Sequence, residues 1–255
     1  MTNKALLIDI GNSRIKWALN DPTQGVVAQG SAYNDPSSND FEQLWKDLEV
    51  PAHVVVSNVS EPVAESKLRR WCVMHWQREP WFLRSGDGTL GIINGYVEPE
   101  KLGSDRIAAL LGARSLCQGD VVVVDCGTAV TVDWLDRNDH FRGGVIFPGL
   151  SLLNGVLKER TAKISAGFKR LPVPESVLGT STDSCIASGV HFGLAGAIDR
   201  VIAEIKQAHS NEHDAYTVYL TGGDAERLYP FFQSQMTHEP NLVVFGLREA
   251  LKRKC

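Results

Sequence analysis

The sequence predicts an α/β protein made of two similar halves, each with a mixed β-sheet flanked by helices. Two stretches carry this prediction, "LLIDIGNSRIKWAL" (residues 6–19) and "VVVVDCGTAVTVDWL" (residues 121–135). Each has an apolar strand, an aspartate near its end, a turn containing glycine and small polar residues, and a second strand. Asp9 and Asp125 stand about half the chain apart. A duplicated β-β-β-α-β-α unit explains both stretches, with one half over residues 1–117, the other over 118–255, and a cleft between them.

The first half follows this plan in order. The Gly11-Asn12-Ser13 turn and the Asp21-Pro22 turn separate three strands, and a capping residue, Asn39 or Asp40, opens the first helix. Strands are predicted over residues 5–10, 14–19, 25–31, 53–57 and 81–83, and helices over 40–48, 61–74 and 104–116.

The second half repeats the order of strands before its helices. Pro148-Gly149 ends the third strand of this half and precedes a helix, and the basic end of "LREALKRK" suits the C-terminus of a helix. Strands are predicted over 121–125, 129–135, 140–146, 215–221 and 242–244. Helices are predicted after residue 149, over 183–208, from residue 224 and at the C-terminus, and a loop over 161–181.

Composition excludes several functional classes. A net charge of −4 gives no reason to expect nucleic acid or an anionic membrane as a partner. No apolar run approaches a membrane span, and Asp9 interrupts the only apolar stretch near the N-terminus, so we expect no signal peptide. Five scattered cysteines without C-x-x-C spacing argue against a disulfide framework and against a zinc site. A cytoplasmic protein is predicted.

The aspartates at the two turns suggest a chemical role. Burial of a carboxylate is unfavourable unless it is paired or binds a cation. A turn with glycine and hydroxyl or amide side chains presents N–H and O–H donors to an anion. The aspartates can then hold a cation near phosphate oxygens. Asp-x-Gly is also a common hairpin turn, but its occurrence at matching places in two similar units favours phosphate binding.

Other nucleotide and hydrolase motifs are absent. The sequence contains no G-x-x-x-x-G-K-[ST], no G-x-G-x-x-G after a strand and no G-x-S-x-G. These absences disfavour a P-loop, a Rossmann site and an α/β-hydrolase nucleophile. The turn Thr221-Gly222-Gly223 follows a strand and precedes a helix, where two glycines allow a flat ring such as adenine to lie against the backbone.

Together these motifs resemble the phosphate 1, phosphate 2 and adenosine motifs of the actin/hexokinase/Hsp70 superfamily. More narrowly, the chain resembles type III pantothenate kinase, with the motifs in the family order over nearly the whole chain. The resemblance implies a duplicated ribonuclease H-like (actin-like ATPase) fold with an ATP cleft between the halves. The motifs are D9-I-G-N-S-R-I-K16, G103-S-D-R106, D125-C-G-T-A-V-T131, G143-G-V-I-F-P-G149 and T221-G-G.

The resemblance also implies the roles of individual residues. Asp105 is the general base, since its carboxylate can accept the proton of a substrate hydroxyl, and Arg106 can bind a carboxylate or the moving phosphoryl group. Ser181 and Cys185 stand where the family has Asn and Ala around the substrate-contacting threonine. The expected pantothenate site is Tyr96, Gly103, Ser104, Asp105, Arg106 and Thr182. The expected ATP site is Asp9, Ile10, Gly11, Asn12, Ser13, Arg14, Ile15, Lys16, Thr128, Gly222 and Gly223.

The same resemblance implies cofactors and partners. ATP is expected with Mg²⁺, which Asp9 holds directly or through water, and Asp125 matches the ligand of a monovalent cation, K⁺ or NH₄⁺. A homodimer with the active site at the subunit interface is implied, and small residues over 187–197 suit close helix approach. Two alternatives stay open. One is another small-molecule kinase or phosphatase of the superfamily; the other is a non-catalytic nucleotide-binding accessory protein of transcription.

Overall fold

A computed structural model describes residues 3–35, 40–86, 90–160, 171–209 and 216–254. Its strands and helices follow the predicted order closely, and the helix from Ser104 to Leu116 has the predicted bounds. In chain order the elements are β1 (Ala5–Ile10), β2 (Arg14–Asp21), β3 (Gly25–Tyr33), α1 (Phe41–Trp45), β4 (His53–Asn58), α2 (Pro62–Trp76), β5 (Trp81–Phe82), β6 (Ile93–Asn94), α3 (Ser104–Leu116), β7 (Asp120–Cys126), β8 (Ala129–Leu135), β9 (His140–Pro148), α4 (Leu150–Arg160), α5 (Thr182–His209), β10 (Tyr216–Thr221), α6 (Ala225–Leu228), β11 (Thr237–His238) and α7 (Leu242–Lys254).

The chain forms two compact units. The first comprises Met1–Gln118, Asn138–Phe141 and Asn241–Cys255, and the second Gly119–Arg137 and Arg142–Pro240. The first boundary falls one residue after the predicted position, but the C-terminal segment lies with the first unit rather than the second. The reason is helix α7, which packs against α3 and strand β1 of the first unit.

The first unit contains a five-stranded mixed sheet in the order β3-β2-β1-β4-β5. The central strand β1 pairs antiparallel with β2 and parallel with β4. Alternate side chains of β1, such as Leu6 and Ile8, pack with Phe41, Trp45 and Leu68 of α1 and α2. Asp40 caps α1 by accepting a hydrogen bond from the backbone N–H of Gln43, whereas the other predicted cap, Asn39, lies outside the described residues.

Helices α3 and α7 cross at very short distance. A Cβ on Gly112 of α3 would collide with the carbonyl oxygen of Leu242, and one on Gly246 of α7 with that of Ala108. The predicted strand over 242–244 is therefore wrong: these residues begin α7. Three β-branched or apolar residues in a row suggest a strand locally, but Leu242 and Val244 are buried in the helix that packs on α3.

The second unit repeats the sheet topology of the first. Its strand order is β11-β10-β7-β8-β9, with β7 antiparallel to β8 and parallel to β10. The two-residue strand β6 of the first unit pairs parallel with His140 and Phe141 at the start of β9. The central strand β7 thus occupies the place that β1 has in the first unit, which confirms the predicted duplicated α/β fold. The two-residue strands β6 and β11 were not predicted. The predicted loop over 161–181 is described only from residue 171, and from there it contains no helix or strand up to α5.

Helix α5 forms much of the core of the second unit. Val190, Leu194, Ile198 and Ile202 pack with the valines of β7 and β8. Among the described residues α5 is the one helix long and apolar enough to cross a membrane by length and composition. Its buried face identifies it as the core helix of an α/β unit, because a helix that covers a sheet needs the same apolar composition.

Candidate active site

The first predicted phosphate motif is the turn between β1 and β2. Asp9 lies opposite Lys16 in the antiparallel ladder and opposite Ser57 in the parallel ladder. The N–H of Gly11 donates to the carbonyl of Arg14 at 3.0 Å and closes the turn. Asn12 and Ser13 are exposed at its tip. The backbone and side chains of this turn are therefore presented at the end of the sheet, as the sequence predicts.

Arg14 contacts the neighbouring hairpin strand. Its guanidinium lies 5.1 Å from the ring centre of Tyr33, and Nη2 donates to Oγ of Ser31 at 3.0 Å. Tyr33 is 80% exposed, so this stacked pair stands at the surface of the first unit.

The second phosphate motif is the corresponding turn of the second unit. Asp125 lies opposite Thr131 of β8 and opposite Thr221 of β10, as Asp9 lies between its two neighbouring strands. This turn is one residue shorter, since the N–H of Gly127 donates to the carbonyl of Ala129 at 3.1 Å. Gly149 packs directly on the turn: its N–H donates to the Thr128 carbonyl at 3.0 Å, and a Cβ there would collide with Gly127.

The predicted adenosine segment touches the second phosphate motif. Gly222 has a φ of +101°, and a Cβ at this position would lie 2.5 Å from Oδ1 of Asp125 and from the backbone of Cys126. The N–H of Asp224 donates to the Cys126 carbonyl at 2.9 Å. Only glycine allows both this backbone conformation and this approach. The structure thus brings Asp125 and Gly222 together within the second unit.

Two carboxylates, Asp125 and Asp224, act on the thiol of Cys126, and Asp224 is also paired with Arg227 at 2.8 Å. Burial raises the pKa of the Cys126 thiol, and the negative charges of Asp125 and Asp224 raise it further. A buried thiol that stays neutral beside two carboxylates is inert as a nucleophile, because the thiolate is the reactive form. Cys126 is therefore a packing residue of this motif.

The G-x-D-R motif forms the first turn of α3. Gly103 is the N-cap, and Oδ1 of Asp105 accepts a hydrogen bond from the N–H of Arg106 at 2.7 Å, which orients the carboxylate. Ser104 is buried, and its hydroxyl joins α3 to strand β4: it accepts from the N–H of Asn58 at 3.1 Å and bonds to Oγ of Ser57 at 3.0 Å.

Arg106 is held by two aromatic rings. Its guanidinium carbon lies 5.5 Å from the ring centre of Tyr96 and 5.7 Å from that of Phe141, and Nη1 donates to the Tyr96 hydroxyl at 2.6 Å. Arg106 as a whole is only 8% exposed. Cation–π contacts and a hydrogen bond stabilise a buried guanidinium, and its planar set of donors suits a carboxylate or phosphate ligand.

The predicted substrate threonine, Thr182, begins helix α5 in the second unit. The hydroxyl of Ser181 accepts from the Ser184 N–H at 3.2 Å, so Ser181 caps the helix. Thr182 lines an apolar groove of about 1230 Å³ between α4 and α5. The other lining residues are mainly apolar or small, and include Phe147, Leu153, Val156, Cys185, Gly189 and Gly193.

The donor atoms near the turns fit hard cations. Carboxylate oxygens of Asp9 and Asp125 are ligands of the kind that Mg²⁺ and K⁺ take. Within the described part of the chain no three His, Cys, Asp or Glu side chains cluster as a complete metal site. Mg²⁺ in kinases needs no such cluster, because one or two carboxylates and the substrate phosphates suffice.

Comparison with known proteins decides the family. The model of the type III pantothenate kinase family matches residues 5–204. A type III pantothenate kinase of Nitrosococcus oceani is 35% identical over 97% of this chain and 93% of its own. One from Nitrosospira multiformis is 36% identical over 95% and 88%. The chain belongs to the type III pantothenate kinase family. The motif resemblance in the sequence is thereby confirmed.

Solved structures similar to this type III pantothenate kinase family member support the fold. A Baf family transcriptional activator from Campylobacter jejuni matches with a TM-score of 0.60 at 22% identity, over 98% of both chains. The activator of 2-hydroxyisocaproyl-CoA dehydratase from Clostridium difficile, solved with ADPNP, matches with a TM-score of 0.56 at 12% identity, over 98% and 96%. At these identities the likeness shows the actin-like fold alone.

Two residues near the motifs were not predicted. Phe141 stacks on Arg106 and lies 5.6 Å from the ring centre of Tyr96. The sequence offers only a weak signal for Phe141, because it is simply an aromatic residue two positions before the Gly143-Gly144 pair. Asn34 bonds to the first phosphate turn and stands in no recognisable pattern. Only the folded chain brings either residue to its partner.

Proposed function

We propose that this protein transfers the γ-phosphoryl group of ATP to the primary hydroxyl of pantothenate, the first step of coenzyme A biosynthesis. Family membership supports the reaction, and one observation supports the assignment of roles. At the start of α3 an oriented carboxylate, Asp105, is followed by a guanidinium, Arg106, that two aromatic rings and a hydroxyl hold in place.

In this proposal Asp105 is the general base. Its carboxylate orients the primary hydroxyl and accepts the proton as the oxygen attacks the γ-phosphorus in line. The helix N-terminus favours the ionised form of the carboxylate. Most of the rate enhancement comes from positioning and charge neutralisation, since phosphoryl transfer requires little other chemistry from the protein.

Arg106 binds the carboxylate of pantothenate or the moving phosphoryl group. A buried guanidinium that is already held in one orientation loses little conformational entropy when it binds. The remaining substrate contacts are proposed to come from Tyr96, Gly103, Ser104 and Thr182.

ATP is proposed to bind through the two phosphate turns and the strand–Gly–Gly turn. Asp9, the segment from Ile10 to Lys16, and Thr128 serve the phosphate groups, while Gly222 and Gly223 lie against adenosine. A divalent cation at Asp9 and a monovalent cation at Asp125 would neutralise phosphate charge when bound. The oxygen ligands and the contact of Asp125 with Gly222 support this choice.

A homodimer in the cytoplasm is part of the same proposal. Val156 in the groove between α4 and α5 is exposed, and so are two further apolar residues of these helices, Leu152 and Phe192. No described atom lies within 4 Å of a Cβ built on Gly189 or Gly193 of α5, so packing within the described part of the chain does not require glycine there. Glycine would be required at these positions if α5 of a second copy approached closely, since a side chain there would keep the two helices apart.

The test is a phosphotransfer assay with ATP, Mg²⁺, K⁺ and a panel of pantothenate, sugars and organic acids, scored by ADP release. Pantothenate is the expected acceptor. Asp105→Asn should lower kcat by at least about 10²-fold with ADP binding retained, because it removes the base alone. Glu42→Gln, another carboxylate in a first helical turn, is the control. Near-normal turnover of Asp105→Asn, or phosphorylation of a sugar in place of pantothenate, would contradict the proposal.

A further inference from the structure

We propose that Asn34, which belongs to none of the motifs, is a positioning residue for the nucleotide phosphates. It follows strand β3 and is half-buried beside the turn between β1 and β2. The inference rests on the proposed role of that turn in phosphate binding. It adds a residue that acts through the turn rather than on the nucleotide.

Asn34 holds the turn at both ends. Its side-chain Nδ2 donates to the carbonyl oxygen of Gly11 at 2.7 Å, and its backbone N–H donates to that of Ser13 at 3.0 Å. The two contacts bracket Asn12, the residue at the tip. A three-residue turn with both end carbonyls bonded to one residue has little freedom to rotate its peptide planes.

Holding the Gly11 carbonyl fixes the direction of a specific donor. In a planar trans peptide the N–H points opposite to the carbonyl, and no described peptide bond is cis. The Asn12 N–H therefore points away from Asn34. Backbone N–H groups in such turns bind phosphate oxygens, so Asn34 sets the orientation of a donor that the nucleotide meets.

The same side chain links the turn to the helix that carries the base. Nδ2 of Asn34 also donates to Oγ of Ser60 at 3.0 Å, and the Ser60 N–H donates to Oδ1 of Asn58 at 3.0 Å. The Asn58 N–H then donates to Oγ of Ser104 at 3.1 Å, one residue before Asp105. A continuous hydrogen-bond path thus runs within the first unit from the phosphate turn to the first turn of α3.

The first test removes the donor. Asn34→Ala should raise KM for ATP and the Kd for MgADP about tenfold, the value of one to two hydrogen bonds, with KM for pantothenate unchanged. Ser60→Ala, which leaves the bond to Gly11 in place, should change the Kd for MgADP less than threefold. A residue that only stabilised the fold would lower Tm and leave the KM for ATP at its wild-type value.

The second test restores the donor by protonation. The carboxylate introduced by Asn34→Asp cannot donate at about pH 8, whereas at about pH 4, near the ordinary pKa of aspartate, a large share of the carboxyls are protonated and can donate. The ratio of MgADP Kd between Asn34→Asp and wild type should therefore fall at the lower pH. The same ratio for Asn34→Ala should stay constant, because that variant lacks the donor at every pH.

Thr23→Val is the matched control. Thr23 donates its N–H and hydroxyl to Asp21 at the opposite end of the same β2–β3 hairpin, so its loss weakens the hairpin without touching the turn. It should lower Tm with KM for ATP unchanged. Wild-type MgADP affinity in Asn34→Ala, or equal changes in KM for both substrates, would overturn the inference. If wild-type protein neither binds MgADP nor phosphorylates pantothenate, the proposed function fails instead.

Discussion

The close crossing of α3 and α7 makes Gly246→Ala an informative perturbation. In an ordinary helix interior, alanine is about 1 kcal/mol more favourable than glycine. At Gly246 the added Cβ would collide with the carbonyl group of Ala108, which is helix backbone and cannot rotate away as a side chain can. The two helices must therefore separate, and α3 carries Asp105 at its start.

The expected loss of stability follows from this geometry. Overpacking a close contact costs about 1–3 kcal/mol, which outweighs the gain in helix propensity. A net loss of about 2 kcal/mol lowers Tm by roughly 4–8 °C in a chain of this size. Gly196→Ala on α5 is the control, because Gly196 is exposed and no described atom lies within 4 Å of an added Cβ there. It should raise Tm by about 2–4 °C.

Thermal unfolding followed by circular dichroism measures both variants, and the phosphotransfer assay measures the effect on kcat. Gly112→Ala, on the other helix of the crossing, should also destabilise the protein. The loss of unfolding free energy in the double variant should be smaller than the sum of the losses in the two single variants. One separation of the helices accommodates both methyl groups. If Gly246→Ala were as stable as wild type, or more stable, the close crossing would be refuted.

Three further predictions concern cations, assembly and pH. With Asp125 as the proposed ligand, phosphorylation should be faster in KCl or NH₄Cl than in NaCl at matched ionic strength and Mg²⁺, and equal rates would remove that role. Gly193→Trp, in the groove, should shift the protein to monomers in light scattering, whereas Gly196→Trp, outside it, should not; a dimer in both cases would place the interface elsewhere. Burial lowers the pKa of His191, which packs on Phe231 with Arg227 and Asp224 nearby, so the folded state favours the neutral ring. Stability should be lost as pH falls below about 6.5, the unfolded value, and His191→Gln should flatten this dependence in urea unfolding; an unchanged slope would count against it.

Much of the architecture was decided by local sequence. The two Asp-x-Gly turns and their flanking strands could be located because apolar runs and turn residues are short-range signals. Their repetition predicted the duplicated sheet, and the matching ladders around Asp9 and Asp125 confirm it. The order of the motifs was also sufficient to indicate the type III pantothenate kinase family, and hence Asp105 and Arg106 as candidate site residues.

Tertiary structure decided what depends on contacts between distant segments. Residues 242–244 have the composition of a strand but are helical, because burial of Leu242 and Val244 against α3 outweighs β-propensity. Phe141 meets Arg106, and Asn34 meets Gly11, only after the sheet has formed. Sequence determined the turns and their chemistry because the interactions that form a turn involve only a few neighbouring residues. The packing that orients the Arg106 guanidinium or the Gly11 peptide plane is a property of the folded chain. The residues that make these contacts, Phe141 and Asn34, lie tens of residues away along the sequence.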